Sequence, residues 1–157
     1  MPLEPGDKAP DFTLLVQNAD PFSLSKSVKA RKVLHLIDFY PKADTPGCTT
    51  QACELRDVAS EVGGTVILGI SPDLPPALVR FDEEHALGFA LLSDPDHAVA
   101  DAYGARGDES MYGKTFRGVI RSAFLVAEDG TLAAAWRKIS PQQTPEKLRR
   151  ALQVLAA

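Results

Sequence analysis

Short β-branched runs alternate with helical stretches along this chain, and that alternation limits the fold more than any other feature. Val33-Leu-His-Leu-Ile-Asp-Phe-Tyr40 is rich in β-branched and aromatic residues and stops at Pro41, the pattern of a buried strand. Thr65 to Ser71 reads as a second strand, ended by Pro72. Val119 to Ala127 reads as a third, and Glu128-Asp129-Gly130 turns it into a partner from Thr131 to Trp136. Helical patterns fill the gaps: Thr49 to Val62, Pro75 to Ala86, and His97 to Tyr103 with Gly104 past its end. Pro145 to Leu155 closes the chain, with Thr144 as N-cap and Pro145 at the first helical position. Phe12 to Val16 and Phe22 to Leu24 suggest a small N-terminal hairpin. Strand–helix–strand alternation at these lengths implies an α/β sandwich around a central, partly parallel sheet, which the late hairpin makes mixed.

The 157 residues are about one domain's worth, and no internal repeat or linker divides them, so residues 1–157 read as a single domain. A chain that is 45% hydrophobic and 24% charged has the balance of a soluble globular protein. A net charge of −4 with no basic run leaves no footprint for nucleic acid. No apolar stretch approaches the ~20 residues of a membrane span. Met1 to Pro10 carries prolines, a glycine and charges but no apolar core of a secretory signal, so the expected setting is the cytoplasm.

Cys48 and Cys53 are the two cysteines. A domain of this size needs no disulfide staple, and a reducing cytosol would not keep one closed. Their spacing misses the C-x2–4-C ligand pattern of zinc sites, and His35, His85 and His97 are scattered. If these sulfurs matter, they matter through reactivity. Cys48 follows Tyr40-Pro-Lys-Ala-Asp-Thr-Pro-Gly47, where a buried strand ends and a helix begins. In open α/β sheets the carboxyl end of a strand is where ligands bind. A cysteine in the first turn of a helix faces the positive end of the dipole and unpaired backbone N–H groups, and both favour thiolate, the nucleophile, over thiol. The competing reading is that most free cysteines are small buried hydrophobes.

Cys48, Ala52, Leu55, Ala59 and Val62 form an apolar stripe that should face the sheet. Cys53 lies ~140° around the axis from Cys48. It shares its face with Thr49, Arg56, Asp57 and Ser60, a solvated set. One sulfur should therefore be tucked in and the other nearer the surface. Ideal helix geometry separates their Cα atoms by ~8.6 Å. A disulfide cannot bridge more than ~7 Å without backbone movement. Pairing would require the first turns of the helix to unwind, with Pro46 and Gly47 as a weak boundary.

Pro41-x-x-x-Thr45-x-x-Cys48 matches the peroxiredoxin active-site motif, and Phe39-Tyr-Pro-Lys-Ala-Asp-Thr-Pro-Gly-Cys-Thr-Thr-Gln-Ala-Cys53 resembles the peroxiredoxin Q, or bacterioferritin comigratory protein, subfamily. Pro10-Asp-Phe12, Leu68 to Phe81, Leu91-Leu-Ser-Asp94 and Gly113 to Leu125 are similar to that subfamily too, so the resemblance runs over nearly the whole chain. It implies a thioredoxin-like fold and a thiol-dependent peroxidase with no cofactor. By match, Cys48 attacks the hydroperoxide, Pro41 shields it, and the Thr45 hydroxyl hydrogen-bonds thiolate and peroxide. Arg121, at the start of the third strand, corresponds to the family's distal arginine, which can stabilise the thiolate and aim donors at the peroxide oxygens. Cys53 matches the residue that resolves the sulfenic acid in many members. Thioredoxin or a similar dithiol is the implied reductant, hydrogen peroxide and organic hydroperoxides the implied substrates, and a monomer the implied state.

Asp38 departs from the subfamily, which usually has an aromatic or apolar residue there. A solvated strand end is its simplest reading, with like-charge repulsion on a neighbouring group as the alternative. His85 and His97 read as surface polar residues, and Trp136 as hairpin packing. Two rivals remain: a thiol–disulfide carrier on the same fold, opposed by the absence of C-x-x-C, and a redox-responsive binding protein that uses the same cysteines without turnover.

Overall fold

The computed structural model describes residues 3–43, 46–62, 65–111, 114–137 and 143–156. The elements in chain order are β1 (Thr13–Val16), β2 (Pro21–Ser23), α1 (Leu24–Arg31), β3 (His35–Phe39), α2 (Pro46–Val62), β4 (Val66–Ser71) and α3 (Pro75–His85). They continue with β5 (Ala90–Ser93), α4 (Ala98–Ala102), β6 (Arg106–Met111), β7 (Lys114–Val119), β8 (Ser122–Val126), β9 (Leu132–Trp136) and α5 (Gln143–Ala156).

Seven strands form one sheet in the order β2-β1-β5-β4-β3-β8-β9, and β6 and β7 form a separate antiparallel pair. The β3–β4 and β4–β5 pairs are parallel, whereas β3–β8, β8–β9, β1–β2 and β1–β5 are antiparallel, so the sheet is mixed as expected. The expected N-terminal hairpin is β1–β2, with Leu14 opposite Phe22.

Side chains of β3 alternate between two cores, as the period of a strand dictates. Ile37 and Phe39 join Leu24 and Val28 of α1, Val99 and Ala100 of α4, and Phe124. Leu36 points the other way, to Leu55 and Val58 of α2 and Leu148 of α5. Tyr40 shares that second face with Cys48, Ala52 and the α3 residues Leu78 and Phe81. Gly69, opposite Asp38 on β4, makes room there. A Cβ at that position would lie 3.1 Å from both the Tyr40 ring and Leu91.

Two boundaries near the site differ from the sequence reading. The third strand begins at Ser122, not Val119, because Val119 belongs to β7 and Ile120-Arg121 form a break between the two strands. The C-terminal helix begins at Gln143, so Thr144 lies within its first turn and is not its N-cap. Helix α1 and strands β5, β6 and β7 had no counterpart in the sequence reading.

Candidate active site

The backbone leaves the sheet at Tyr40, whose N–H still donates to the Ile70 carbonyl at 3.0 Å. Pro41 follows and is exposed. Ala43 is held by its N–H, which donates to Asp73 Oδ2 at 2.7 Å. The same carboxylate oxygen accepts from Ser71 Oγ at 2.8 Å, while Ser93 Oγ donates to the Asp73 carbonyl at 2.7 Å. The ends of β4 and β5 thus hold the loop that delivers the chain to α2. Thr45 lies outside the described residues.

Cys48 is the third residue of α2, in the turn whose backbone N–H groups have no partner within the helix. It is 2% exposed. Arg121 Nη2 donates to its sulfur at 3.0 Å, although 73 residues separate them. The break between β7 and β8 is what turns this arginine off the ladder and toward the sulfur. Its other terminal nitrogen, Nη1, donates to Gln51 Oε1 at 2.5 Å, and Gln51 Nε2 donates to Thr144 Oγ1 at 2.6 Å. Gln51 is 1% exposed and Thr144 fully buried. The structure therefore brings Cys48 and Arg121 together and adds Gln51 and Thr144, neither of which the sequence reading assigned to the site. Gln51 lies three positions after Cys48, a spacing that puts both on neighbouring parts of one helix surface; that signal was in the sequence. Thr144 gave none, because its approach to α2 is purely tertiary.

Cys53 is a free thiol like Cys48, but only partly buried. It does not lie on a fully solvated face: it packs against the cluster of Tyr40, Leu78, Phe81 and Leu87. The cause is α3, whose end is tied to this side of α2 by Arg56 Nη1 donating to the His85 carbonyl at 2.6 Å. The expected order still holds, with Cys48 the more enclosed sulfur. Asp57, by contrast, is exposed as expected.

Asp38 corrects the sequence reading. It is 3% exposed, not solvated, because α2 covers its face of β3. Its Oδ1 has no hydrogen-bond partner. Burial pushes this carboxyl up to about 7, and the positive charge of Arg121 offsets part of that rise. The like-charge alternative also has a counterpart: burial first, and then the charges of Asp38, Asp73 and Cys48, push the Tyr40 phenol far above its ordinary range, so it stays protonated. His85 is half-buried, its ring 5.5 Å edge-on from Phe81, and Trp136 packs partly buried beside Leu36 and Leu55. No helix of the described residues is long and apolar enough to cross a membrane.

A buried sulfur at the carboxyl edge of a thioredoxin-like sheet, gripped by a distant arginine, defines the class: a thiol-based redox enzyme of the thioredoxin fold. The chain matches the AhpC/TSA family over residues 5–135. It is 46% identical over 133 residues, 83% of each chain, to the peroxiredoxin Bcp of Escherichia coli. A Haemophilus influenzae protein named for the same peroxiredoxin is 51% identical over 139 residues, covering 87% of this chain and 88% of its own. Among solved structures, peroxidoxin BcpB of Mycobacterium tuberculosis superimposes with a TM-score of 0.84 at 30% identity, covering 97% of both chains. The bacterioferritin comigratory protein of Xanthomonas campestris, studied for alkyl peroxide reduction through trapped intermediate and ligand complexes, does so with a TM-score of 0.86 at 28% identity over 98% of this chain and all of its own. The chain belongs to the AhpC/TSA family. Within it, it is a peroxiredoxin of the Q, or bacterioferritin comigratory protein, group, and a thiol-dependent peroxidase.

Proposed function

We propose that residues 1–157 form one peroxidase domain in which Cys48 attacks the hydroperoxide and Cys53 resolves the product. The contact from Arg121 Nη2 to Cys48 Sγ at 3.0 Å carries this assignment. An arginine is always charged, so it lays a fixed donor and a positive charge on the sulfur and on any oxygen bound beside it. The Cys48 thiolate attacks one peroxide oxygen, an S–O bond forms as O–O breaks, and negative charge develops on the leaving oxygen. Fixed donors aimed at that charge lower the barrier. The leaving oxygen takes a proton and departs as water or an alcohol, leaving Cys48 as sulfenic acid. Thr45 is assigned the hydrogen bond to thiolate and peroxide, and Pro41 the shielding of the sulfur.

The sulfenic sulfur is then attacked by Cys53, and water leaves as the disulfide closes. Because both sulfurs sit on the continuous helix α2, that step requires its first turns to unwind. A thioredoxin-type dithiol reopens the bond by attack at the less enclosed Cys53 sulfur. We assign hydrogen peroxide and organic hydroperoxides as substrates, a monomer as the working unit and the cytoplasm as its setting.

Mass spectrometry after one equivalent of peroxide tests the assignment. A Cys48–Cys53 linkage is expected, with thioredoxin-dependent turnover. Cys48→Ser abolishes peroxide consumption, and a surviving rate would overturn the mechanism. Cys53→Ser keeps the first oxidation and loses thioredoxin-linked cycling; unimpaired cycling would assign resolution to another thiol.

A further inference from the structure

Gln51 has an arrangement that attack on peroxide does not by itself account for. A guanidinium has donors only, so the amide oxygen must face Arg121, and the amide NH2 is left for the Thr144 hydroxyl. A line of contacts then runs from Cys48 through Arg121 and Gln51 to the first turn of α5. Helix α5 is itself packed on α2 through Leu148, beside Leu55 and Val58. Gln51 also lies between the two cysteines, inside the segment that has to unwind before they can meet.

We propose that Gln51 and Thr144 form a latch by which the grip of α5 on α2 sets how fast Cys53 resolves Cys48. The proposal rests on the resolving role given to Cys53 above. While α2 is wound, Thr144 fixes Gln51, and Gln51 fixes Arg121 against the sulfur. Unwinding carries Gln51 away and breaks both contacts. A buried amide left half-bonded is costly, so the two contacts are lost together as the amide reaches water, and the change is two-state. The wound state favours attack on peroxide, and also a second oxidation of the sulfenic acid to sulfinic acid. The unwound state lets the Cys53 thiolate attack the sulfenic sulfur: S–S forms, S–O breaks, and the oxygen leaves as hydroxide that takes up a proton. Thr144 is thus a positioning residue for both steps, with opposite signs.

Thr144→Val keeps the shape and removes the hydroxyl. Loss of the buried hydrogen bond from Gln51 should favour the unwound helix about tenfold, so disulfide formation after one equivalent of peroxide accelerates about tenfold. The peroxide dose giving half sulfinic acid rises by about the same factor, while the first oxidation slows about twofold because Arg121 is held less firmly. A general loss of structure would slow both steps. Thr144→Ser restores wild-type behaviour. In the unmodified protein, forming the disulfide should raise hydrogen exchange at amides 143–148 along with 48–53, and this measurement decides alone if the valine variant does not fold. Equal disulfide rates in wild type and Thr144→Val, or unchanged protection at 143–148, would overturn the latch and leave the role of Cys53 intact. Absence of any Cys48–Cys53 linkage in wild type would overturn the resolving role itself, and the latch with it.

Discussion

The two faces of the central sheet are built from alternate residues of the same strand and differ in kind. On one face Phe39 meets Phe124 and Tyr103, with ring centroids 5.9 and 5.4 Å apart, and the Tyr103 hydroxyl is satisfied by the Pro10 carbonyl at 2.6 Å. The edge-to-face contact of Phe39 with Phe124 adds to the burial of large rings, and the polar group at the edge is paired. On the other face the neighbouring residues Asp38 and Tyr40 lie beneath α2 with Cys48 and Gln51, and one carboxylate oxygen is left without a partner. One face holds the fold together, and the other carries the helix that the proposed resolution by Cys53 would partly unwind. A low-stability segment set on a well-packed platform can open without dragging the rest of the domain with it.

The largest expected effect tests the platform. Phe124→Ala should cost ~3–5 kcal/mol, the usual loss for an aromatic core truncation. Denaturant titration should show that loss, while the folded fraction keeps its Cys48–Arg121 contact and its first-step rate. A collapse of the peroxide reaction in protein that is still folded would mean that the two faces are not separable.

On the other face, Asp38 should weaken the fold as pH rises. Its folded value, about 7, is above that of an unfolded carboxyl, so the native state holds the extra proton and stability falls between about pH 4 and pH 7. Asp38→Asn removes that titration. The variant should match wild type near pH 4 and exceed it at pH 7, by on the order of 2–4 kcal/mol. Parallel stability curves for the two proteins across that range would mean that the carboxyl titrates no differently folded and unfolded.

Arg121→Lys separates charge from geometry. Lysine keeps the charge but loses the fork that serves Cys48 and Gln51 at once. The first oxidation should slow about tenfold or more, with little change in global stability. A rate equal to wild type would show that positive charge alone suffices at the sulfur.

These two faces were not equally legible in the sequence. The apolar run ending at Pro41 and the stripe Cys48, Ala52, Leu55 report local periodicity, and periodicity was enough to place β3 and α2. Helix α1 escaped because Leu24 and Val28 are its only buried residues, and its start depends on the Ser23 side chain accepting from the Lys26 N–H. Strands β6 and β7, Arg106-Gly-Asp-Glu-Ser-Met111 and Lys114-Thr-Phe-Arg-Gly-Val119, show little apolar alternation and are paired through backbone groups. At the site, Cys48 is singled out by its place at a strand-to-helix junction, whereas the roles of Pro41, Thr45 and Arg121 come only from the family resemblance, since no local rule brings Arg121 to Cys48 across 73 residues. Asp38 was misread because whether a strand residue is covered depends on where α2 lies. Gln51 and Thr144 are 93 residues apart, and only the packing of α5 on α2 brings them together.

His35 gives the aromatic side of the sheet a pH response of the opposite sign. It is fully buried, with Nδ1 2.9 Å from the Val33 carbonyl and Nε2 2.7 Å from Ser27 Oγ. A carbonyl only accepts, so Nδ1 carries the proton and Nε2 accepts from the serine; a second proton on Nε2 would break that contact. Burial holds this imidazole below its ordinary 6.5, with the nearby Arg31 charge acting the same way. In the window below pH 6.5 the unfolded chain binds the proton more readily than the native one, so stability falls as pH falls. His35→Gln should lose some stability at pH 7 and should remove this decline on the acid side. Measured with Asp38→Asn in the background, to silence the carboxyl, wild-type His35 should give a denaturation midpoint that drops below pH 6.5. A flat profile there would mean that the ring is protonated as easily in the fold as outside it, and that the contrast in pH response between the faces rests on Asp38 alone.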